Sequence, residues 1–218
     1  MLHNERSAEG ILRLPACPTV QRLSRAGLHS SSMSVMQRSL EAVVTSALDS
    51  VPAGSLPELR VTGNLGQISS AVDSILRTTG FTPLWLAKWL SDDVVFLARL
   101  FQNATGATFL CVRLEAVEDN ACERFHTDNV SFRLVTTYRG AGTEWISPTD
   151  VWAAREDTDL SAEKILRLDR GHVGIMRGQR HATMQAPALH HRSPRIAGTG
   201  VARLFLAIDD AADHEDCC

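Results

Sequence analysis

The sequence predicts an α+β fold, with helices in the N-terminal half and strands in the C-terminal half. Two patterns predict it. Apolar residues from Met33 to Leu100 recur mostly at helical spacing, whereas those from Leu110 to Ile208 mostly alternate with polar ones, as in strands. Helices grouped before strands argue against the alternating order of a parallel α/β sheet. The length, 218 residues, suits one domain or one domain with an N-terminal extension. Hydrophobic residues at 44% and charged residues at 22% are globular values, which exclude a chain disordered throughout.

Residues 1–30 carry Pro15, Pro18 and little periodicity, and read as a loosely held arm. Met36, Leu40, Val43, Val44 and Ala47 share one helical face, which predicts a helix over 33–48 with N-caps among Ser30 to Ser32. Pro, Gly and Ser between Val51 and Pro57 break it. A second amphipathic helix covers 65–76 and ends by Gly80. Pro83 opens a third, through Trp85, Trp89 and Leu90, and Asp92-Asp93 caps a fourth, through Val95, Phe96 and Leu100. None of these helices carries an evident catalytic group, so they read as cover for the strands.

The period changes at Ala107. Leu110, Val112, Leu114 and Ala116 alternate with Cys111, Arg113 and Glu115, the pattern of a strand. Phe132, Leu134, Thr136 and Tyr138 fall on one side of a second strand over 131–138. Arg139 to Gly142 then reads as a tight turn and Thr143 to Ile146 as the return strand of a hairpin. His172 to Met176 and Val201 to Ile208 are two further strands. The expected organisation is one domain over 31–218: helical cover at 31–105, a β core at 106–210 and a polar tail at 211–218.

Charge excludes one partner class. Lys+Arg 22 against Asp+Glu 25, net −3, gives no basic surface for nucleic acid. No apolar run nears the roughly 18 residues that span a bilayer, and the start lacks the apolar core of a signal peptide. A soluble, cytoplasmic protein with reduced thiols is expected. Five Cys are too few for a disulfide scaffold. Cys111 reads as a small buried residue, and the Cys217-Cys218 tail with His214 offers at most a transient site for a thiophilic metal such as Zn.

One constellation has the composition of a metal centre. His126-Thr127-Asp128 precedes the 131–138 strand, and side chains two apart in extended chain share a face. His190-His191 follows later, and Arg203 sits in the last apolar strand. Two imidazoles and one carboxylate on one face of a metal suit non-haem Fe(II) and leave positions open. An arginine one strand away can hold a cosubstrate carboxylate through paired hydrogen bonds. A second His-x-Asp, His214-Glu215-Asp216, lacks this context.

Residues 107–209 resemble the double-stranded β-helix core, a jelly-roll or cupin-like barrel, of Fe(II)/2-oxoglutarate-dependent dioxygenases. The resemblance implies iron ligands His126, Asp128 and His191, an anchor for the distal carboxylate of 2-oxoglutarate in Arg203, and a hydroxyl partner for the cosubstrate in Tyr138. It implies that 2-oxoglutarate and O2 fill the open metal positions while a bound substrate is oxidised. A more specific likeness lies in Arg124 to Asp128, Leu134 to Trp145 and His191-Arg192-Ser193-Pro194. By these stretches the chain is similar to an uncharacterised bacterial family, domain of unknown function 1826, whose activity is not established.

Competing readings stay open at this point. His190 can replace His191 as third ligand, and Arg192 and Arg195 compete with Arg203, which lies 12 residues after His191. His126–Asp128 can form a surface turn, and Arg203 can sit in a salt bridge. Cys122, near the proposed site, is a further candidate ligand or redox group, and Trp145 and Trp152 are candidates to line a pocket. His172 and His181 read as structural. The second functional reading is a non-catalytic metal-binding or ligand-binding barrel, with Zn in place of Fe and a role in metal homeostasis. Ligand atoms more than about 6 Å apart would point to structural roles, because metal–nitrogen bonds are about 2.0–2.1 Å. The expected substrate is a small molecule or a protein.

Overall fold

A computed structural model describes residues 11–14, 28, 30–147, 150–151 and 162–217. In chain order the elements are β1 (Ile11–Leu14), β2 (Met33–Met36), α1 (Ala42–Ser50), β3 (Leu59–Gly63), α2 (Leu65–Thr78), α3 (Leu84–Thr105) and β4 (Leu110–Val117). Then come β5 (Phe132–Arg139), β6 (Glu144–Ile146), β7 (Ile165–Arg167), β8 (Val173–Arg177), β9 (His191–Arg192) and β10 (Arg203–Asp210). Two sheets form. The larger has the order β1-β2-β8-β5-β10-β4-β3, and the smaller β7-β6-β9. Every pairing is antiparallel except β1 with β2.

Alternation in the central strands builds two cores. Leu110, Val112 and Leu114 of β4, Phe132, Leu134 and Tyr138 of β5, and Leu204, Leu206 and Ile208 of β10 join the helices in one apolar cluster. Leu86, Leu90, Val94 and Leu97 of α3 are fully covered there. The opposite face of the large sheet offers Val135 and Ala207, which pack with Met33, Val35, Trp145, Leu168, Met176 and Leu189. Trp145 and Leu189 belong to or adjoin the smaller sheet, so that sheet lies over this face. The architecture is mixed α and β, a large antiparallel sheet with three helices on one side and a small sheet on the other. It does not close into the barrel expected from the sequence.

Several elements differ from expectation, each for a physical reason. Residues 33–36 are a fully buried strand in register with β8 rather than the start of a helix, and α1 begins only at Ala42. A four-residue stretch with three apolar members, Met33, Val35 and Met36, fits either state, and sheet pairing decides it. The third and fourth helices are one, α3, 22 residues long. Asp92 does not cap; it pairs with Lys88 one turn back, while Asp93 turns inward to Arg38 and Tyr138. The cap of α2 follows its composition, since Asn64 and Gln67 bond reciprocally across the first turn.

The hairpin after β5 does not form. β5 lies between β8 and β10, and β6 pairs with β7 and β9 in the other sheet. Gly140 takes a left-handed φ of 80°, and the chain crosses between sheets there. At Gly142 a Cβ would stand 1.9 Å from the Leu168 carbonyl oxygen, so this crossover admits only glycine.

Gly178 is a similar constraint, next to Gln179, whose N–H donates to the Asp128 carbonyl at 2.9 Å. A Cβ at Gly178 would stand 2.0 Å from the Val130 carbonyl oxygen. Gly178→Ala is expected to destabilise the protein by roughly 1–3 kcal/mol, as overpacking against backbone does. Urea unfolding would check this, and an unchanged midpoint would show that the Val130 backbone yields freely.

Candidate metal centre

The loop before β5 and the short strand β9 are drawn together by backbone pairing. His126 N–H donates to the His191 carbonyl at 3.0 Å, and His191 N–H donates back to His126 at 2.9 Å. This bridge sets the two imidazoles side by side, with ring centroids 4.6 Å apart. Asp128, two residues on, reaches the same point. His126 Nε2 lies 3.6 Å from Asp128 Oδ1, and His191 Nε2 lies 3.1 Å from Asp128 Oδ2. One ligand atom from each of the three residues falls within 4.8 Å of the others.

The ring orientations suit a metal. His126 Nδ1 sits 2.9 Å from the Arg124 carbonyl, and His191 Nδ1 sits 3.2 Å from the Leu189 carbonyl. A carbonyl only accepts, so in the neutral imidazoles Nδ1 carries the proton, and Nε2, on the Asp128 side, is the nitrogen that can take a metal. The surface-turn reading of His126 and Asp128 does not fit this arrangement. His191, not His190, brings its ring into the cluster.

Asp128 is mostly buried, and burial alone would raise its pKa. His126, His191 and the charge of Arg133 outweigh that and hold it well below the usual carboxylate range. The Asp128 carboxylate in turn raises the pKa of His126, against its partial burial. A proton must leave His126 before a metal can bind there. Below the raised His126 pKa the proton competes with the metal, and affinity rises as pH climbs through it. Co(II) titrations across a series from about pH 6 to about pH 8 are expected to show tightening with pH of up to about tenfold per unit. A flat series would place no titrating histidine at the metal.

Arg203 lies behind the triad on β10, on the face of the sheet opposite the helices. Its side chain is 1% exposed. Among the described residues the guanidinium bonds only to hydroxyls: Thr137 at 3.1 Å, Thr143 at 2.9 Å and Ser193 at 3.4 Å. Its Nε has no partner, and its positive charge lies over the Phe205 ring at 4.2 Å. Among the described residues no carboxylate ion-pairs with it. Burial lowers its pKa to about 10, opposed only by the more distant charge of Glu115. Arg203 and the histidines line one cavity of about 100 Å³, with Arg113, Arg133, Arg192, Thr143 and Ser193.

The competing arginines are otherwise placed. Arg192 pairs with Glu144 at 2.8 Å and stacks on Phe125, and Arg195 is exposed. Tyr138 requires a correction. It faces the helices, donates to Asp93 at 2.7 Å and packs edge-on against Trp89, so it does not reach the cavity. The period-two pattern of β5 dictates this: Thr137, not Tyr138, shares a face with the site. Cys122 lines the cavity mouth and is exposed, Trp145 is buried in the apolar core between the sheets, and Trp152 lies outside the described residues. His172 adjoins Asp169, and His181 packs against Phe132, both away from the triad.

Two charged residues at the site carry no signal in the sequence that marks them out. Arg133 lies 2.7 Å from Asp128 Oδ2, a charge pair rather than an aligned hydrogen bond, and makes a two-armed contact to Asp209 at 2.6 and 2.8 Å. Asp209 is fully buried on β10, with His214 at 3.2 Å on its outer side. The segment after β10 is accordingly not a free tail at its start, since Asp213 also accepts two bonds from Ser131. No helix among the described residues is long and apolar enough to cross a membrane.

Comparison with known proteins adds a fold likeness. A dioxygenase for auxin oxidation from rice superposes with a TM-score of 0.55 at 12% identity, over 92% of this chain and 82% of that one. Dioxygenase for auxin oxidation 1 from Arabidopsis thaliana, solved with 2-oxoglutarate, gives 0.46 at 11% identity over 92% of each chain. At such identity the rice structure speaks for the fold alone. No curated protein matches the sequence. A family model does match, over residues 19–209, and the chain belongs to the family it describes, a protein of unknown function designated DUF1826.

Proposed function

We propose that this protein is an Fe(II)/2-oxoglutarate-dependent oxygenase. One observation carries the reading: a buried arginine that ion-pairs with no carboxylate among the described residues lines the same small cavity as the two histidines of the His126, Asp128 and His191 cluster. A buried, unpaired guanidinium is costly unless a ligand anion completes it. The donor set fits the metal as well. With metal bonds of about 2.1 Å, neighbouring ligand atoms on an octahedron stand about 3 Å apart. His126 Nε2 stands 3.6 Å from Asp128 Oδ1, and one ligand atom from each of the three residues lies within 4.8 Å of the others, so small side-chain shifts reach that spacing.

His126, Asp128 and His191 would hold the iron. Iron, when bound, would supply the redox chemistry that activates O2. Arg203, with Thr137 and Thr143, would take the distal carboxylate of 2-oxoglutarate and orient it toward the metal. The cavity suits a small acid; the primary substrate, a small molecule or a protein side chain, would approach from outside it.

The test is a thermal shift. A ligand at about 100 times its Kd stabilises a protein by about 2.7 kcal/mol. 2-Oxoglutarate is expected to raise Tm only when Fe(II) or Mn(II) is present, and aerobic Fe(II) samples should release succinate that His126→Ala does not. Zn(II) binding with no response to 2-oxoglutarate would favour a metal-binding protein without turnover.

A further inference from the structure

We infer that Arg133 is a positioning residue that confines Asp128 to ligation through one carboxylate oxygen, and so keeps a metal position open. The inference rests on the metal-centre reading above. A carboxylate can ligate through one oxygen or through two. Two imidazoles and a one-oxygen aspartate leave three positions of an octahedron, whereas a two-oxygen aspartate leaves two. Two is too few for a chelating cosubstrate together with O2.

The geometry supplies a device that sets this choice. Asp128 Oδ2 lies 2.7 Å from Arg133 Nη1 in a charge contact and also faces His191 Nε2 at 3.1 Å, while Oδ1 is turned toward His126 at 3.6 Å. Arg133 is itself immobile. Its Nε and Nη2 are committed to the two oxygens of Asp209, which has no exposed surface and is backed by His214 and, more distantly, Arg113 at 3.8 Å. Burial alone would loosen the proton on this guanidinium, and Asp209 with Asp128 outweighs that and holds it charged. Three nitrogens are thus distributed over two carboxylates on different strands or loops. Only a planar, forked cation spans both. A lysine, with one nitrogen, can satisfy Asp209 or Asp128 but not both.

The backbone places Arg133 for this purpose. It lies on the same face of β5 as Val135 and Thr137, five residues after Asp128, and its neighbour across the sheet is Asp209 of β10. A purely structural Arg133–Asp209 pair would need no contact with Asp128. The third nitrogen distinguishes the two roles.

The test uses the full-length protein with Co(II) as a spectroscopic metal and 2-oxoglutarate as second ligand. Two variants are compared with wild type. Arg133→Lys keeps a cation beside Asp209, and the double variant Arg133→Gln with Asp209→Asn removes that buried ion pair as a unit, so neither leaves Asp209 as an isolated buried charge. Both are expected to retain Co(II) affinity within about tenfold of wild type, to change the Co(II) absorption bands, and to bind 2-oxoglutarate at least about tenfold more weakly. Variants with unchanged bands and unchanged 2-oxoglutarate affinity overturn the inference alone. So does a parallel loss of metal, cosubstrate and thermal stability, which marks a merely structural pair. Wild-type protein that takes up no metal overturns the metal centre itself, and this inference with it.

Discussion

Arg203→Met is expected to weaken 2-oxoglutarate binding by about tenfold or more, leave metal uptake unchanged, and leave the fold as stable as wild type or more so. The two effects have opposite signs for one reason. Among the described residues, the partners of the buried Arg203 cation are three hydroxyls, and its Nε has none. Burial already lowers its pKa to about 10, a sign that the charge is poorly compensated. An apolar side chain of similar length removes that penalty, and such replacements of buried charge are often neutral or stabilising by about 1–4 kcal/mol. The cosubstrate loses hydrogen bonds to a charged group, each worth roughly 1.5–3 kcal/mol. Calorimetric titration and thermal unfolding of the same variant read both signs. An ordinary structural arginine would give the reverse pattern, lower Tm with intact binding.

Asp128→Ala is expected to abolish metal binding, with a loss of at least about 100-fold, because even partners beyond the ligands themselves usually cost about 10–100-fold. The residue does more than ligate. It takes a charge contact from Arg133 and faces both histidines. Removing it frees the pKa of His126 from its main raising influence, so the variant histidine becomes neutral at lower pH than in wild type. The loss of affinity therefore cannot come from a protonated His126. Metal content of protein purified without chelator or affinity tag would read the result. Retention of stoichiometric metal in Asp128→Ala would remove the carboxylate from the site.

Much of the fold that positions this site was legible in the sequence, at the level of faces rather than pairings. The alternation in β4, β5 and β10 separates a helix-facing set from a site-facing set. Leu110, Val112 and Leu114 belong to the first, with Leu204, Leu206 and Ile208 of β10. Arg113, Arg133, Arg203 and Asp209 fall on the other face by the same period of two. That rule also excludes Tyr138 from the site, since Tyr138 shares its face with Leu134.

Pairings were less legible. The composition of Arg139 to Gly142 marks a break after β5, but the partners of β6 are chosen by contacts with residues far along the chain. Local composition does not carry that information. Arg133 and Asp209 stay hidden for a related reason. Each is an ordinary charged residue in its own strand, and only the register of β5 against β10 brings them together beside Asp128. The His126–Asp128 pair is easier to find because its two members are two residues apart in sequence, and a backbone bridge supplies His191.

The central claim is that metal and 2-oxoglutarate share one site built from His126, Asp128, His191 and Arg203. Anaerobic titration of the Fe(II)-loaded protein with 2-oxoglutarate tests it most directly. A weak visible charge-transfer band is expected to grow and saturate in wild type and to be absent, at the same concentrations, in Arg203→Met. Fe(II) bound at the triad with no band at any 2-oxoglutarate concentration would contradict the claim.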